Sequence, residues 1–400
     1  MSVVTWITAL TGIILCGAAL TPISKKIKVP RDGLLLMLGF LVSELVTSQG
    51  YDTGLRWYHF KDIVFFGVLP LLVFNTALSV DTEIARHEIP SVFFLALPIR
   101  LITVSLIGVV MFYGVAHPSG FPLAAALLLA VMLTAPDPDS LIEHANLSRT
   151  YPRVCHILRG ESLLDDVLAI MLFSLFLSMV MMAAIPPTLG DLTFQFVRIF
   201  CGGVVLGFVI GTVLGWLLSF MPSYPTKVML LISIVYLSFV MAEKLFAVSG
   251  VVTMLVLGLT LPNSCSEIFE GTINVFAEIL AIGLFFIAGM TLTTAMFAER
   301  WIAILLAGLA VIVARGVGVY IFILASRYLV SAEYKLTREE NCLMLMSGAP
   351  GAVALALALS LPLDVPGWYT IQAAVYGVVT VGLLIQTPVV IAAFNWLKAR

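Results

Sequence analysis

Charged residues are scarce in this chain of 400 residues. They make up 11% of it, against 61% for hydrophobic residues, whereas soluble domains carry about 25% charge. This shortage excludes a soluble globular protein and predicts an all-α polytopic membrane protein. The formal net charge is only -2, and the sequence has no basic tail or patch, so nucleic acid is not an expected partner.

Cysteine is also rare, and its positions show neither the spacing of a metal site nor a disulfide framework. The first twenty residues lack a basic segment ahead of their apolar run. The basic cluster KKIKVPR follows that run, beginning at Lys25. This order excludes a cleavable signal peptide and predicts a first membrane helix whose N-terminus lies outside.

Long apolar runs recur along the whole chain. We count about thirteen runs of roughly 20 residues, the length that crosses a bilayer as a helix. Most of the Lys and Arg residues in the intervening loops fall on one side, the side of the C-terminus. Cytoplasmic loops carry such an excess. We therefore expect a multi-pass protein of the cell (inner or plasma) membrane, with the N-terminus outside and the C-terminus cytoplasmic.

Two of the apolar runs are interrupted near mid-membrane. Pro136 and Pro138 flank Asp137 in the fifth run, and Gly348 and Pro350 interrupt the twelfth. Proline removes a backbone donor and clashes with the preceding turn. Unwound backbone at this depth is tolerated only where it lines a cavity or is buried in protein. Two broken spans of opposite direction predict inverted-topology repeats around a midplane site.

The two broken spans are seven spans apart. The same offset relates Arg100 in the fourth span to Arg315 in the eleventh, and both arginines lie near the middle of their spans. We therefore interpret residues 1–400 as a single membrane transporter domain. Its predicted parts are a first repeat at about 1–184, a linker helix at about 190–221 and a second repeat at about 226–397.

Three carboxylates stand at the head of the sixth span, in the stretch RGESLLDD. Ionisable residues inside a membrane are costly and mark functional sites. Residues four apart share one helix face, so Ser162 and Asp166 lie together, and Glu161 and Asp165 lie together on a second face. With Asp137 and the freed carbonyls of the fifth span, the first face predicts an all-oxygen site for a small monovalent cation.

A carboxylate that binds a cation also accepts a proton, so the two compete for one group. Competition at Asp166, with access alternating between the two sides, is sufficient for antiport of Na⁺, Li⁺ or K⁺ against H⁺. The face with Glu161 and Asp165 requires a positive partner, and Arg315 is the candidate at that depth. Further candidates near the ion path are Asn75, Glu278 and Pro136.

Three alternatives stay open at this point. The buried charges of the core would also fit a static structural network. A cation channel or uniporter would use the same scaffold, although pores favour several weak sites over one carboxylate site. An intramembrane aspartyl protease would use Asp137 and Asp166 as a dyad, but its Gly-x-Gly-Asp motif is missing. We therefore predict a transporter without enzymatic activity and without a cofactor beyond its transported ions.

The stretch GESLLDD after the break at Asp137 resembles the Gly-Glu-Ser-x-x-Asn-Asp motif of the cation/proton antiporter-1 family, the NhaP and NHE-type sodium/proton antiporters. VARGVGV and LPLLVFNTAL resemble further motifs of that family. The resemblance implies thirteen spans in an NhaA/NhaP-like fold. It also implies a homodimer in which core helices, at about 63–184 and 269–362, move against dimerisation helices formed by the remainder.

Carried over motif by motif, the resemblance implies that Asp166 is the ion-binding carboxylate. It implies that Asp137 and Ser162 are further ligands of the monovalent cation, and that Glu161 and Arg315 form a structural ion pair.

Three positions depart from the family pattern. The family's Asn is Asp165 here, its third-span Glu is Asn75, and its twelfth-span Arg is Pro350. The tandem Asp-Asp resembles the electrogenic antiporter-2 branch, in which the extra carboxylate is linked to a second proton. Electrogenic exchange with Asp165 as a second carboxylate is therefore one expectation, and ion selectivity and stoichiometry stay open.

Overall fold

The computed structural model describes residues 3–50, 60–79, 92, 94–115, 121–144, 147–181, 189–329 and 336–398, and these are almost entirely helical. In chain order the helices are α1 (Val3–Ile27), α2 (Arg31–Ser48), α3 (Ile63–Leu78), α4 (Leu95–Gly114), α5 (Leu123–Leu133), α6 (Asp139–His144), α7 (Leu147–Thr150), α8 (Pro152–Met181), α9 (Leu189–Phe220), α10 (Tyr224–Leu245), α11 (Gly250–Thr260), α12 (Asn263–Thr291), α13 (Thr294–Leu329), α14 (Arg338–Met346), α15 (Ala352–Leu359), α16 (Trp368–Val381) and α17 (Thr387–Lys398).

Within the described ranges, eight helical stretches are long and apolar enough to cross a membrane, and α3, α5 and α11 are shorter apolar helices. The predicted fold class, a polytopic all-α membrane protein, is confirmed. The count of thirteen spans stays a prediction.

Both interruptions predicted from the sequence are present. Helix α5 ends at Leu133 ahead of Pro136, and α14 ends at Met346 ahead of Pro350. The unwound segments cross each other, and Pro136 and Pro350 pair there as an isolated antiparallel bridge. The Asp137 backbone N–H donates to the carbonyl of Ala349 at 2.9 Å. The crossing thus supplies a partner for backbone that the proline breaks release from helical hydrogen bonding.

The helices pack as two groups. The first helix group comprises α1–α3 and α9–α12, and the second comprises α4–α8 and α13–α17. The second group contains both crossing segments. By packing, α3 and α12 belong to the first group, although the predicted core ranges at 63–184 and 269–362 include them. Which helices move together stays a prediction.

Helices α2 and α12 approach each other very closely. A Cβ atom built on Gly39 would lie 2.2 Å from the carbonyl oxygen of Phe286, and one built on Gly289 would lie 2.1 Å from that of Leu36. Only glycine permits this distance between the two backbones. Where α2 begins at Arg31, a cavity lies between the helix groups.

Candidate ion-binding site

The cavity has a volume of about 470 Å³ and lies between the two helix groups. Asp137, Ser162 and Asp166 line its wall on the second helix group. At the end of the bundle near the α1–α2 turn, the lining includes the exposed side chains of Lys25 and Asp139. The three ligands predicted from the sequence therefore meet in one space that reaches the protein surface.

Asp137 lies in the unwound segment between α5 and α6. Its carboxylate oxygen Oδ1 accepts the backbone N–H of Asp139 at 3.3 Å, which fixes the side chain at the start of α6. Gly351 of the other crossing segment lies directly against it. A Cβ built on Gly351 would be 2.2 Å from Asp137 Cβ and 2.4 Å from its Oδ2. The Asp137 carboxylate thus sits at the contact between the two broken helices.

Ser162 and Asp166 lie one turn apart on α8 and face the same cavity, as the helix period predicts. The Ser162 hydroxyl donates to the carbonyl of Pro136 at 2.7 Å, which ties α8 to the unwound segment. Asp137, Ser162 and Asp166 are all half-buried. Their oxygens are therefore reachable from the cavity while the surrounding helices shield them from bulk water.

Glu161 lies on the second face of α8 and forms a two-pronged ion pair with Arg315 of α13. The Arg315 Nη2 atom lies 3.1 Å from Glu161 Oε2, and its Nε donates to the carbonyl of Met344 at 3.0 Å. Met344 lies in the last turn of α14. The carbonyl groups of that turn lack the backbone N–H partners of a continuing helix, because the helix breaks there. Arg315 therefore joins α8, α13 and the second broken helix.

Asp165 takes a different partner from the one expected. Its Oδ2 atom lies 2.9 Å from Nη1 of Arg100 on α4, and Arg315 is already committed to Glu161. Sequence reasoning noted Arg100 as a mid-span arginine but gave it no function. The sequence places two mid-span arginines, Arg100 and Arg315, and two carboxylates, Glu161 and Asp165, at similar depth. Matching these numbers would have indicated the pair of Arg100 with Asp165.

The opposite wall of the cavity comes from the first helix group. Asn75 of α3 donates from Nδ2 to Oδ1 of Asn274 on α12 at 3.2 Å. Glu278, also on α12, forms an ion pair with Arg31 at the start of α2. Asn274 was missed by sequence reasoning, because a single Asn in a long amphipathic stretch carries no signal of its own.

Comparisons with known proteins identify the family of this chain. A profile of the transmembrane sodium/hydrogen exchanger family matches residues 11–396, nearly the whole chain. The chain belongs to the sodium/hydrogen exchanger family. The resemblance stated above is thereby confirmed, and nothing supports the channel alternative.

Relatives of this exchanger include the Na(+)/H(+) antiporter NhaG of Bacillus atrophaeus, 25% identical over 94% of this chain and 72% of the relative. The Na(+)/H(+) antiporter NhaH of Halobacillus aidingensis is 25% identical over 91% of each chain. The structure of the sodium proton antiporter MjNhaP1 from Methanocaldococcus jannaschii at pH 8 superimposes with a TM-score of 0.79. It is 19% identical and covers 100% of this chain and 99% of that one, a likeness that shows the fold.

Gly351→Ala is expected to impair cation exchange strongly in this exchanger. The added methyl group would overlap with the Asp137 side chain and displace it. A displacement of about 1 Å at a reacting site lowers the rate by up to about a hundredfold. The rate of cation-induced proton release from vesicles is the measurement. Gly283→Ala is the matched control, since a Cβ there meets no atom within 4 Å. Equal rates for both variants would contradict the placement of Asp137 at the crossing.

Proposed function

We propose that this exchanger binds Na⁺, or Li⁺ or K⁺ in its place, through Asp166 and Asp137 with Ser162 as a neutral ligand, and exchanges it for H⁺. The observation that carries the proposal is the cavity itself. It brings the Asp137 carboxylate of the first unwound segment together with the Ser162 hydroxyl and the Asp166 carboxylate of α8 in one partly shielded space. Hard monovalent cations are bound by such oxygen sets.

The distribution of charge supports the choice of these two carboxylates. Glu161 and Asp165 each have an arginine partner on the far side of α8. Asp137 and Asp166 face the cavity, where net negative charge attracts a cation. A proton arriving at the same carboxylates competes with the cation, because both need the same oxygen lone pairs. We therefore assign cation binding and proton uptake to one site.

The position of the cavity supports alternating access. It lies between the two helix groups and reaches the surface at the α1–α2 end. A relative movement of the groups would close this end and open the opposite one, the rocking motion typical of inverted-repeat transporters. We propose that the α1–α2 end is the cytoplasmic side.

Purified protein in proteoliposomes tests the proposal. With a pH-sensitive dye inside and a pH gradient imposed, pulses of Na⁺, Li⁺ and K⁺ are added in turn. We expect at least one cation to move protons in the opposite direction, with a rate that saturates with cation concentration. A cation current without proton movement would instead identify a channel, and no response to any of the three ions would refute the proposed function.

We further propose that the protein forms a homodimer in the cell membrane, with the N-terminus outside and the C-terminus cytoplasmic. We also propose that it has no enzymatic activity and binds no cofactor. Support for the dimer comes from the family pattern and from large exposed apolar side chains such as Phe208 and Trp216 on α9, which lipid or a second copy would cover. Light scattering of the detergent-solubilised protein measures the oligomeric state. A C-terminal reporter that is active only in the cytoplasm tests the orientation.

A further inference from the structure

A second polar compartment lies on the far side of α8 from the ion cavity. It has a volume of about 40 Å³, which is room for two or three water molecules. Its charged lining comes from the two ion pairs of the core, Glu161 with Arg315 and Asp165 with Arg100. Asp137, Ser162 and Asp166 line the ion cavity instead.

Helix α8 and the first unwound segment form the partition between these two spaces. Along the unwound segment, successive side chains border the two spaces in alternation. Thr134 and Pro136 border the small compartment, whereas Ala135 and Asp137 border the ion cavity. Adjacent residues of α8 also point to different spaces, so the orientation of α8 about its axis determines which carboxylate faces the cation.

Arg100 contacts α8 at Asp165 in two ways, through the side chain and through the backbone. Its Nη1 lies 2.9 Å from the Asp165 carboxylate, and its Nη2 donates to the Asp165 backbone carbonyl at 3.1 Å. Both residues are 3% exposed. The planar guanidinium presents its donors in a fixed fork, so this geometry constrains the backbone of α8 as well as the side chain.

The charge balance explains why an arginine is needed here. A buried carboxylate without a partner is strongly destabilising. The family motif has a neutral Asn at the position of Asp165, so this chain carries one additional buried negative charge. Arg100 supplies the compensating charge from α4, as Arg315 does for Glu161 from α13. The two arginines thus bind carboxylates one helical turn apart, from helices that the sequence predicts to correspond in an inverted repeat.

We propose that Arg100 is a positioning residue for the cation site. By fixing Asp165 on the far side of α8, it keeps this carboxylate out of the coordination shell. By fixing the backbone at Asp165, it sets the orientation of the turn that presents Ser162 and Asp166. This inference rests on the proposed function, because it specifies which residue shapes the site where the cation binds.

The test compares Arg100→Lys, Arg100→Met and the double variant Arg100→Met/Asp165→Asn in proteoliposomes, with Arg198→Lys as control because Arg198 is exposed on α9. Lysine keeps the charge but loses the fork. We expect R100K to raise the apparent KM for the cation about tenfold, as for other outer-shell partners of a bound ion. The maximal rate and the melting temperature should stay close to those of the wild type, a split that a purely structural role would not produce.

The double variant tests the proposed role of Arg100 if the single variants fail to fold. Because it removes both charges together, we expect a folded protein. Because it also loses the contact with the Asp165 backbone carbonyl, its KM for the cation should stay above that of the wild type. A wild-type KM in R100K would overturn the inference, and so would a double variant that is unfolded or has a wild-type KM. Wild-type protein that shows no cation-dependent proton movement would refute the proposed function instead.

Discussion

Asp166→Asn is expected to abolish cation-dependent proton movement while leaving the protein folded and inserted in the membrane. The amide is nearly isosteric with the carboxylate, but it can neither balance a cation nor take up a proton. Even outer-shell partners of a bound ion contribute tenfold to a hundredfold in affinity, so loss of a charged ligand should lower the rate by about a hundredfold or more. Dequenching of a pH-sensitive dye in everted vesicles measures this rate.

A matched control separates this effect from a general loss of charge. Asp364 is exposed in the loop before α16, and Asp364→Asn should exchange cations like the wild type. Both variants should be present in the membrane in equal amounts, as shown by quantitative blotting. A signal of wild-type size from Asp166→Asn would remove Asp166 from the site.

Glu161→Gln is expected to have the largest effect on stability. It would leave the Arg315 guanidinium without its carboxylate partner, and Glu161 itself is only 2% exposed. Removing one member of a buried ion pair costs about 3–5 kcal/mol in the free energy of unfolding, because a charge stays buried without compensation. The loss should appear as a lower melting temperature of the detergent-solubilised protein.

The double variant Glu161→Gln/Arg315→Met is the informative comparison. With both charges gone, most of the lost stability should return, since replacing a whole buried pair is often close to neutral. Part of the loss should persist, because Arg315 also donates to Met344 in the last turn of α14. If the double variant melts below Glu161→Gln, the ion pair is not what stabilises this region.

The features that sequence predicted well are those set by short-range chemistry. The breaks at Pro136 and Pro350 follow from the missing backbone donor and the steric clash of proline, which act within one helical turn. The grouping of Ser162 with Asp166, and of Glu161 with Asp165, follows from the helix period alone. Both predictions hold in the structure, since the two pairs face different spaces.

The partner of Asp165 could not be derived in the same way. Which arginine reaches a given carboxylate depends on the rotation and tilt of α4 and α13 against α8, and helix periodicity does not determine relative placement. Arg100 and Arg315 both lie near mid-membrane, so depth alone could not distinguish them. The contact between Asn75 and Asn274 likewise joins helices far apart in sequence.

The apparent KM for the cation, measured over a pH series in proteoliposomes, tests the central claim most directly. If cation and proton compete for the same carboxylates, the KM should rise toward about tenfold per unit of falling pH, as reciprocal linkage requires. The maximal rate at saturating cation should change little over that range. A KM that stays constant while the maximal rate falls would show that proton and cation bind at separate sites, and would contradict the account.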